Sequence, residues 1–163
     1  MRTSFWCLIL ISVLISSCDS NRVFDEYNTV PNSWNKDDIV SFNFETQDTV
    51  KAYNLFVNIR NNNDYKYSNL FLLVELNYPN GKSTKDTLEY LMAKPNGELL
   101  GTGFSDIKEN KLWFKENFIF PEKGNFEINI QHAMRENGVV KGVENLEGVT
   151  DIGFRVENSN SSD

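Results

Sequence analysis

The chain has 163 residues, a single His, and a formal net charge of -7 from 16 Lys and Arg against 23 Asp and Glu. The length suits one domain, and the acidic balance argues against a protein that grips nucleic-acid phosphates. With one His and two Cys, no His-rich or thiolate-rich metal cluster fits within one chain, whereas 12 Phe, 6 Tyr and 3 Trp supply more bulk than a disordered chain carries.

Residues 1–17 read as a signal peptide. Arg2 gives a short basic start, and the apolar run from Phe5 to Ile15 is interrupted by Ser12. It is too short for a comfortable membrane span of about 20 residues and suits a signal-peptide core. It ends in Ile15-Ser16-Ser17-Cys18, which resembles a bacterial lipobox. Small residues admit the chain to the peptidase, and the Cys18 thiol receives the lipid. Cleavage before Cys18 removes Arg2 and enlarges the acidic excess by one charge. Cys7 leaves with the signal and Cys18 is consumed by lipid, so packing alone must stabilise the mature fold in an oxidising compartment. Residues 18–37, with Asp19-Ser20-Asn21-Arg22 after the cysteine, read as the lipidated Cys and a tether. Phe24, Tyr27, Val30 and Trp34 interrupt its polarity and are expected to stick to the domain edge.

From residue 38 the apolar period is two, the signature of strands. Val40, Phe42 and Phe44 alternate with polar neighbours, and Tyr53, Leu55, Val57 and Ile59 do the same, with Phe56 alone breaking the polar parity. Asn61-Asn62-Asn63-Asp64 is a turn. A third strand carries Leu70, Leu72, Val74, Leu76 and Tyr78, with Phe71 and Leu73 on its other parity. Pro79-Asn80-Gly81-Lys82 turns the chain into a fourth strand over residues 84–92. Residues 98–104 are Gly-rich, and residues 105–110 read as a loop or one helical turn. Leu112, Phe114, Phe118 and Phe120 define the next strand, and Phe126, Ile128, Ile130, His132 and Met134 the one after. Residues 135–149 read as a long loop, Ile152, Phe154 and Val156 as the last strand, and 158–163 as a flexible tail. Seven or eight strands, each with one apolar face, predict an all-β antiparallel two-sheet β-sandwich of jelly-roll or immunoglobulin-like type over residues 38–157. A closed barrel is the alternative.

No catalytic constellation is marked. His132 shares parity with core residues and reads as a satisfied core histidine, because no nucleophile accompanies it. Leu100-Gly101-Thr102-Gly103-Phe104 lacks the Lys and the helix of a phosphate loop and reads as a bend. Asp37, Asp38, Asp48, Asp106 and Glu109 have no calcium-loop spacing and read as solvated turn acids. No metal, cofactor or catalytic residue is assigned. Trp34, Tyr65, Tyr67 and Trp113 are the candidate binding surface, with packing as the competing reading. Trp113 stands on the parity opposite to Leu112 and Phe114. Exposed aromatics stack on sugars or anchor protein interfaces.

Several stretches carry a resemblance. They are the early lipobox Cys18, the strand Tyr53–Asn61 with Tyr67–Leu72, and Pro79-Asn80-Gly81 leading into Asp86-Thr87-Leu88-Glu89. To these are added Phe120-Pro121 with Gly124, Phe126, Ile128, Gln131, His132 and Met134, and the closing Gly148–Gly153. Together they resemble the gliding-motility lipoprotein GldH family of the Bacteroidota. The resemblance implies a non-enzymatic lipoprotein of the cell envelope, held at a membrane by acylated Cys18; a periplasm-facing domain is the expected placement. It implies a protein partner from the gliding machinery or the secretion apparatus linked to it, and supplies no catalytic residues. A lipid-anchored glycan-binding sandwich is the alternative function.

Overall fold

Period-two patterning yields strands whose apolar faces must meet another layer. The computed structural model describes residues 21–159 apart from 104, 137 and 139. The expected signal peptide over residues 1–17, Cys18 and residues 160–163 lie outside the described residues. The strands are β1 Arg22–Thr29, β2 Ser33–Asn35, β3 Val40–Thr46, β4 Ala52–Asn61, β5 Asn69–Asn77, β6 Ser83–Leu91, β7 Lys108–Ile119, β8 Gly124–His132, β9 Asn145–Glu147 and β10 Val149–Asn158. A first 4-stranded sheet has the order β1-β10-β4-β7, a second 4-stranded sheet the order β3-β8-β5-β6, and β2 with β9 makes a 2-stranded ribbon. Every pairing is antiparallel.

The two sheets stack in a sandwich-like arrangement over one core. Leu70, Leu72, Val74 and Leu76 of β5 are fully buried, as are Leu55, Val57 and Ile59 of β4. Aromatic rings join the layers. Phe44 on β3 lies 5.4 Å from Phe154 on β10, and Phe120 lies 5.4 Å from Tyr53 on β4 and 5.0 Å from Phe126 on β8. Such ring pairs add about 0.5–1.5 kcal/mol each beyond the area they bury. The ribbon closes one end, where Trp34 and Leu146 are cross-strand partners and both are fully buried.

Three expectations differ from the structure. Residues within the expected 18–37 tether form β1 and β2, so among the described residues strand structure is present from Arg22 and not only from residue 38. Phe24 explains the attachment: it stands 5.6 Å from Phe44 and 6.1 Å from Phe154, which places β1 along the open edge of β10. The expected 135–149 loop contains β9, because Leu146 needs the same pocket as Trp34. The expected loop at 105–110 already belongs to β7 from Lys108 onward. Ten strands therefore stand among the described residues, where seven or eight were expected.

Candidate interaction face

Register decides which side chains meet on the outside of the first sheet. One row runs Asp25, Arg155, Phe56 and Trp113 across β1, β10, β4 and β7. The next runs Tyr27, Gly153, Asn58 and Lys111, and the one beyond runs Thr29, Asp151, Arg60 and Glu109. These positions alternate with the core residues Leu55, Val57, Ile59, Ile152, Phe154 and Leu112, so they share the opposite face.

The face is built from paired groups. Arg155 donates through Nη1 to Asp25 Oδ2 at 2.9 Å and through Nε to Glu157 Oε1 at 2.6 Å. Lys111 Nζ donates to both Glu157 oxygens at 2.7 and 2.8 Å and sits 4.1 Å above the Phe56 ring. Phe56 in turn meets Trp113 with ring centroids 4.4 Å apart. Phe56 is 3% exposed although it lies outside the core cluster, whereas Trp113 is 50% exposed.

A second cluster surrounds Tyr27. Its hydroxyl donates to Glu109 Oε1 at 3.2 Å and accepts from Asn58 Nδ2 at 2.9 Å. Arg60 donates through Nε to Glu109 Oε2 at 2.7 Å and lays its guanidinium 4.1 Å from the Tyr27 ring centre. Burial, with the nearby Glu109 and Asp25 carboxylates, pushes the Tyr27 phenol up to about 12, so it stays protonated and can keep donating. Asn58 Oδ1 and Asp25 Oδ1 are buried and have no hydrogen-bond partner among the described residues.

This arrangement lacks an activated nucleophile. Chemically it is suited to recognition, with an aromatic ledge set among charges that already hold one another in place. Phe56 and Trp113 were both visible in the sequence as breaks in strand alternation. Their adjacency was not, because it depends on the β4–β7 register. Tyr27 showed only as an apolar break in the expected tether and Glu109 only as an expected turn acid, which the structure instead places in β7 and pairs with Arg60. Arg60 and the Asp25–Arg155–Glu157 group carried no local signal.

The sequence-derived candidate residues do not form one surface. Cys18 lies outside the described residues. Trp34 is 0% exposed, donates through Nε1 to Asp38 O at 2.9 Å and packs edge-on against His132. Tyr65 is 4% exposed and donates its hydroxyl to Asn69 O at 2.7 Å. Burial raises its phenol pKa strongly. As candidates for exposed rings, Trp34 and Tyr65 are corrected to core residues. Each buries its ring and keeps its polar tip bonded to a carbonyl. Tyr67 is half-buried against Tyr65 and lines a cleft of about 480 Å³ beside the ribbon. Asp64, Glu136, Glu144 and Glu147 also line that cleft; Lys66 pairs with Glu147 at 2.5 Å and Lys141 with Glu144 at 3.4 Å. Trp113 alone of the four offers an open ring.

His132 is a core residue as expected, but among the described residues its hydrogen bonds are only half met. It is buried, and its Nε2–H donates to Trp34 O at 3.0 Å, leaving Nδ1 without a partner among the described residues. Among the described residues no group of three or more His, Cys, Asp or Glu is placed to hold a metal ion, and no helix is long and apolar enough to cross a membrane.

Fold and face together define a class: a β-sandwich that presents an ordered side-chain surface from a rigid sheet. The chain belongs to the GldH lipoprotein family, whose model matches residues 22–156. The matched stretch starts where β1 starts and ends within β10. The chain is 55% identical over 163 residues to a gliding motility lipoprotein GldH homolog of Christiangramia forsetii, covering 99% of this chain and 100% of that protein. It is 52% identical over 150 residues to the gliding motility lipoprotein GldH of Flavobacterium johnsoniae, covering 92% of this chain and 93% of that protein. Among solved structures, the infectious bursal disease virus VP2 subviral particle aligns with TM-score 0.38 and 14% identity over 89% of this chain and 35% of the viral chain. A family GH115 4-O-methyl-alpha-glucuronidase aligns with TM-score 0.43 and 12% identity over 88% of this chain and 18% of the enzyme chain. The chain thus spans about a third or less of these structures, and TM-scores this low carry no argument about it.

Proposed function

We propose that this protein is a non-enzymatic component of the gliding-motility machinery, anchored in the cell envelope through acylated Cys18 and facing the periplasm. It binds another envelope protein of that machinery, or of the secretion apparatus linked to it, through the outer face of the first sheet. Family membership supports the setting, since both relatives bear gliding-motility names. One observation carries the binding role: Trp113, half exposed, is braced on buried Phe56 beside Lys111, which is itself paired with Glu157. A rigid aromatic rimmed by charge is the usual form of an interface anchor. Glycan binding calls for two or three exposed coplanar rings, and burial of Trp34 and Tyr65 takes two rings from that set.

The test is crosslinking of the full chain in its own cells, followed by mass spectrometry of the adducts. The expected result is a reproducible partner protein whose recovery falls at least about tenfold in Trp113→Ala. It should persist in Val50→Ser, which alters another exposed apolar side chain. Equal recovery with Trp113→Ala and the parent chain removes this face from the reading. For the anchor, Cys18→Ser should move the protein from the membrane fraction to the soluble fraction; unchanged fractionation rejects lipidation at Cys18.

A further inference from the structure

The second sheet ends in β6, which among the described residues has β5 on one side and no strand partner on the other; Lys115 of β7 reaches its Asp86 side chain at 2.7 Å. In the hairpin before β6, Tyr78 N donates to Lys82 O at 2.8 Å and Gly81 N to Tyr78 O at 2.9 Å. Tyr78 and Lys82 are therefore a hydrogen-bonded pair, and bonded pairs recur at every second position of an antiparallel ladder. Leu76 with Thr84, Val74 with Asp86, Leu72 with Leu88 and Leu70 with Tyr90 are the bonded partners. The far end keeps the same phase, since Met92 N donates to Ser68 O at 2.8 Å. Ser83, Lys85, Thr87, Glu89 and Leu91 consequently turn their N–H and C=O groups away from β5. All of them are exposed.

Natural sheets blunt such an edge with a bulge, a proline, a short strand or charged side chains, and of these β6 has only the charges of Lys85, Asp86 and Glu89. β6 has 9 residues, no proline and an unbroken register with β5. The other edges differ. β7 is broken by register shifts, and Tyr90 donates its hydroxyl to Trp113 O at 2.6 Å on that strand. β1 has a shift between Arg22 and Phe24. β3 is regular, but it carries Glu45 and no cation, and Asn28 Nδ2 reaches Ser41 O on it at 3.4 Å.

We propose that β6 pairs antiparallel with β6 of a second copy of this chain, joining two second sheets across a two-fold axis at Thr87. Charge selects both the occupant and the register. A two-fold axis can pass through an outward-bonding residue (Lys85, Thr87 or Glu89) or between them at Asp86 or Leu88, and of these only the Thr87 axis sets Lys85 opposite the partner's Glu89. Centring on Lys85 or on Glu89 sets like charges directly opposite, which destabilises a ladder. Centring on Thr87 places Lys85 opposite the partner's Glu89 and Glu89 opposite the partner's Lys85, with Thr87 facing the partner's Thr87. Ser83 then faces the partner's Leu91, which gives the 72% exposed Leu91 side chain a neighbour. Within one copy Lys85 has a single long ion pair, with Glu75 at 3.8 Å, and Glu89 accepts from Asn69 Nδ2 at 3.0 Å. Both contacts lie on the β5 side, so neither blocks approach from the free edge.

The experiment places cysteine at the axis of the full-length lipoprotein in its own envelope. Thr87→Cys under mild oxidation should give a self-crosslinked dimer, because bonded cross-strand Cα atoms stand about 5.5 Å apart, within disulfide reach. Its yield should exceed that of Asn43→Cys on the other edge of the same sheet by about tenfold or more. In the Thr87→Cys background, Lys85→Glu should lower the yield at least about fivefold, since each cross-strand pair becomes repulsive. Adding Glu89→Lys restores opposite charges and should restore the yield. Light scattering of the purified full chain in detergent provides a second readout: the parent should have dimer mass and Lys85→Glu monomer mass. Equal yields at positions 43 and 87, indifference to the charge reversals, a monomeric parent, or an adduct at position 87 with a different protein would each overturn the proposal.

Discussion

The ring of Tyr27 on β1 lies against Gly153 on β10, so closely that a Cβ on the glycine would sit 2.8 Å from Tyr27 Cδ1 and Cε1. Its backbone side is tight as well, with Glu26 O at 3.1 Å. The glycine thus admits the ring that fastens β1 to the sheet, and the ring's hydroxyl and π-face then engage Glu109, Asn58 and Arg60. Gly153→Ala should therefore destabilise the fold by about 1–3 kcal/mol through overpacking. Urea unfolding measures this, and Tyr27→Ala in the same chain should recover part of the loss, since the clash is then gone. An additive double variant would contradict this account.

Gly148 presents a more severe case. Its φ is 84°, a left-handed value, and an added Cβ would lie 2.6 Å from Asp64 C and Tyr65 Cα and closer still to Tyr65 N. All of these are backbone atoms and cannot swing aside. Gly148→Ala should lose about 3 kcal/mol or more, combining backbone strain with a clash at the β9–β10 turn. A melting temperature within a degree or so of the parent would contradict it.

His132 links stability to pH. Burial lowers its pKa from the ordinary 6.5, Lys36 lowers it further, and the Trp34 carbonyl and Asp37 oppose them. Below the ordinary value the unfolded chain takes up a proton that the folded chain refuses. Stability is therefore full above that value and declines as pH falls toward the depressed folded pKa. The decline is at most about 1.4 kcal/mol per pH unit from this one group. Unfolding free energies from pH 7.5 down to 5 should show that slope in the parent and a shallower one in His132→Gln. Identical slopes would show that the imidazole is not the titrating group.

Asn110 Nδ2 donates to Asn61 Oδ1 at 2.8 Å inside the sandwich, where both residues are buried and Asn61 Nδ2 has no partner among the described residues. Asn110→Ala leaves that amide wholly unpaired and should lose about 1–3 kcal/mol. Replacing both residues by Leu removes the unmet groups together, so the double variant should be more stable than Asn110→Ala in chemical denaturation. The reverse order would contradict this account.

Much of the sandwich was legible because burial on one side of a strand imposes a period of two. Val40 to Phe44, Tyr53 to Ile59 and Phe126 to His132 display that period without outside help. β1, β2 and β9 were not legible. Their apolar residues are sparse, and each becomes a strand through a distant neighbour: Phe24 through Phe44 and Phe154, Trp34 through Leu146. The candidate aromatics divided for the same reason. Trp34 and Tyr65 sit in polar surroundings in the chain, yet the fold sets both rings in its core and bonds their polar tips to Asp38 and Asn69 carbonyls.

By itself, then, the sequence determined the strand faces, the β class and the family, since each rests on residue type and spacing. Tertiary structure alone decided which outliers meet. Phe56 and Trp113 became neighbours, Tyr27 found Gly153, and the edge of β6 was left open, because register and strand order arise from long-range pairing that no short stretch of sequence encodes.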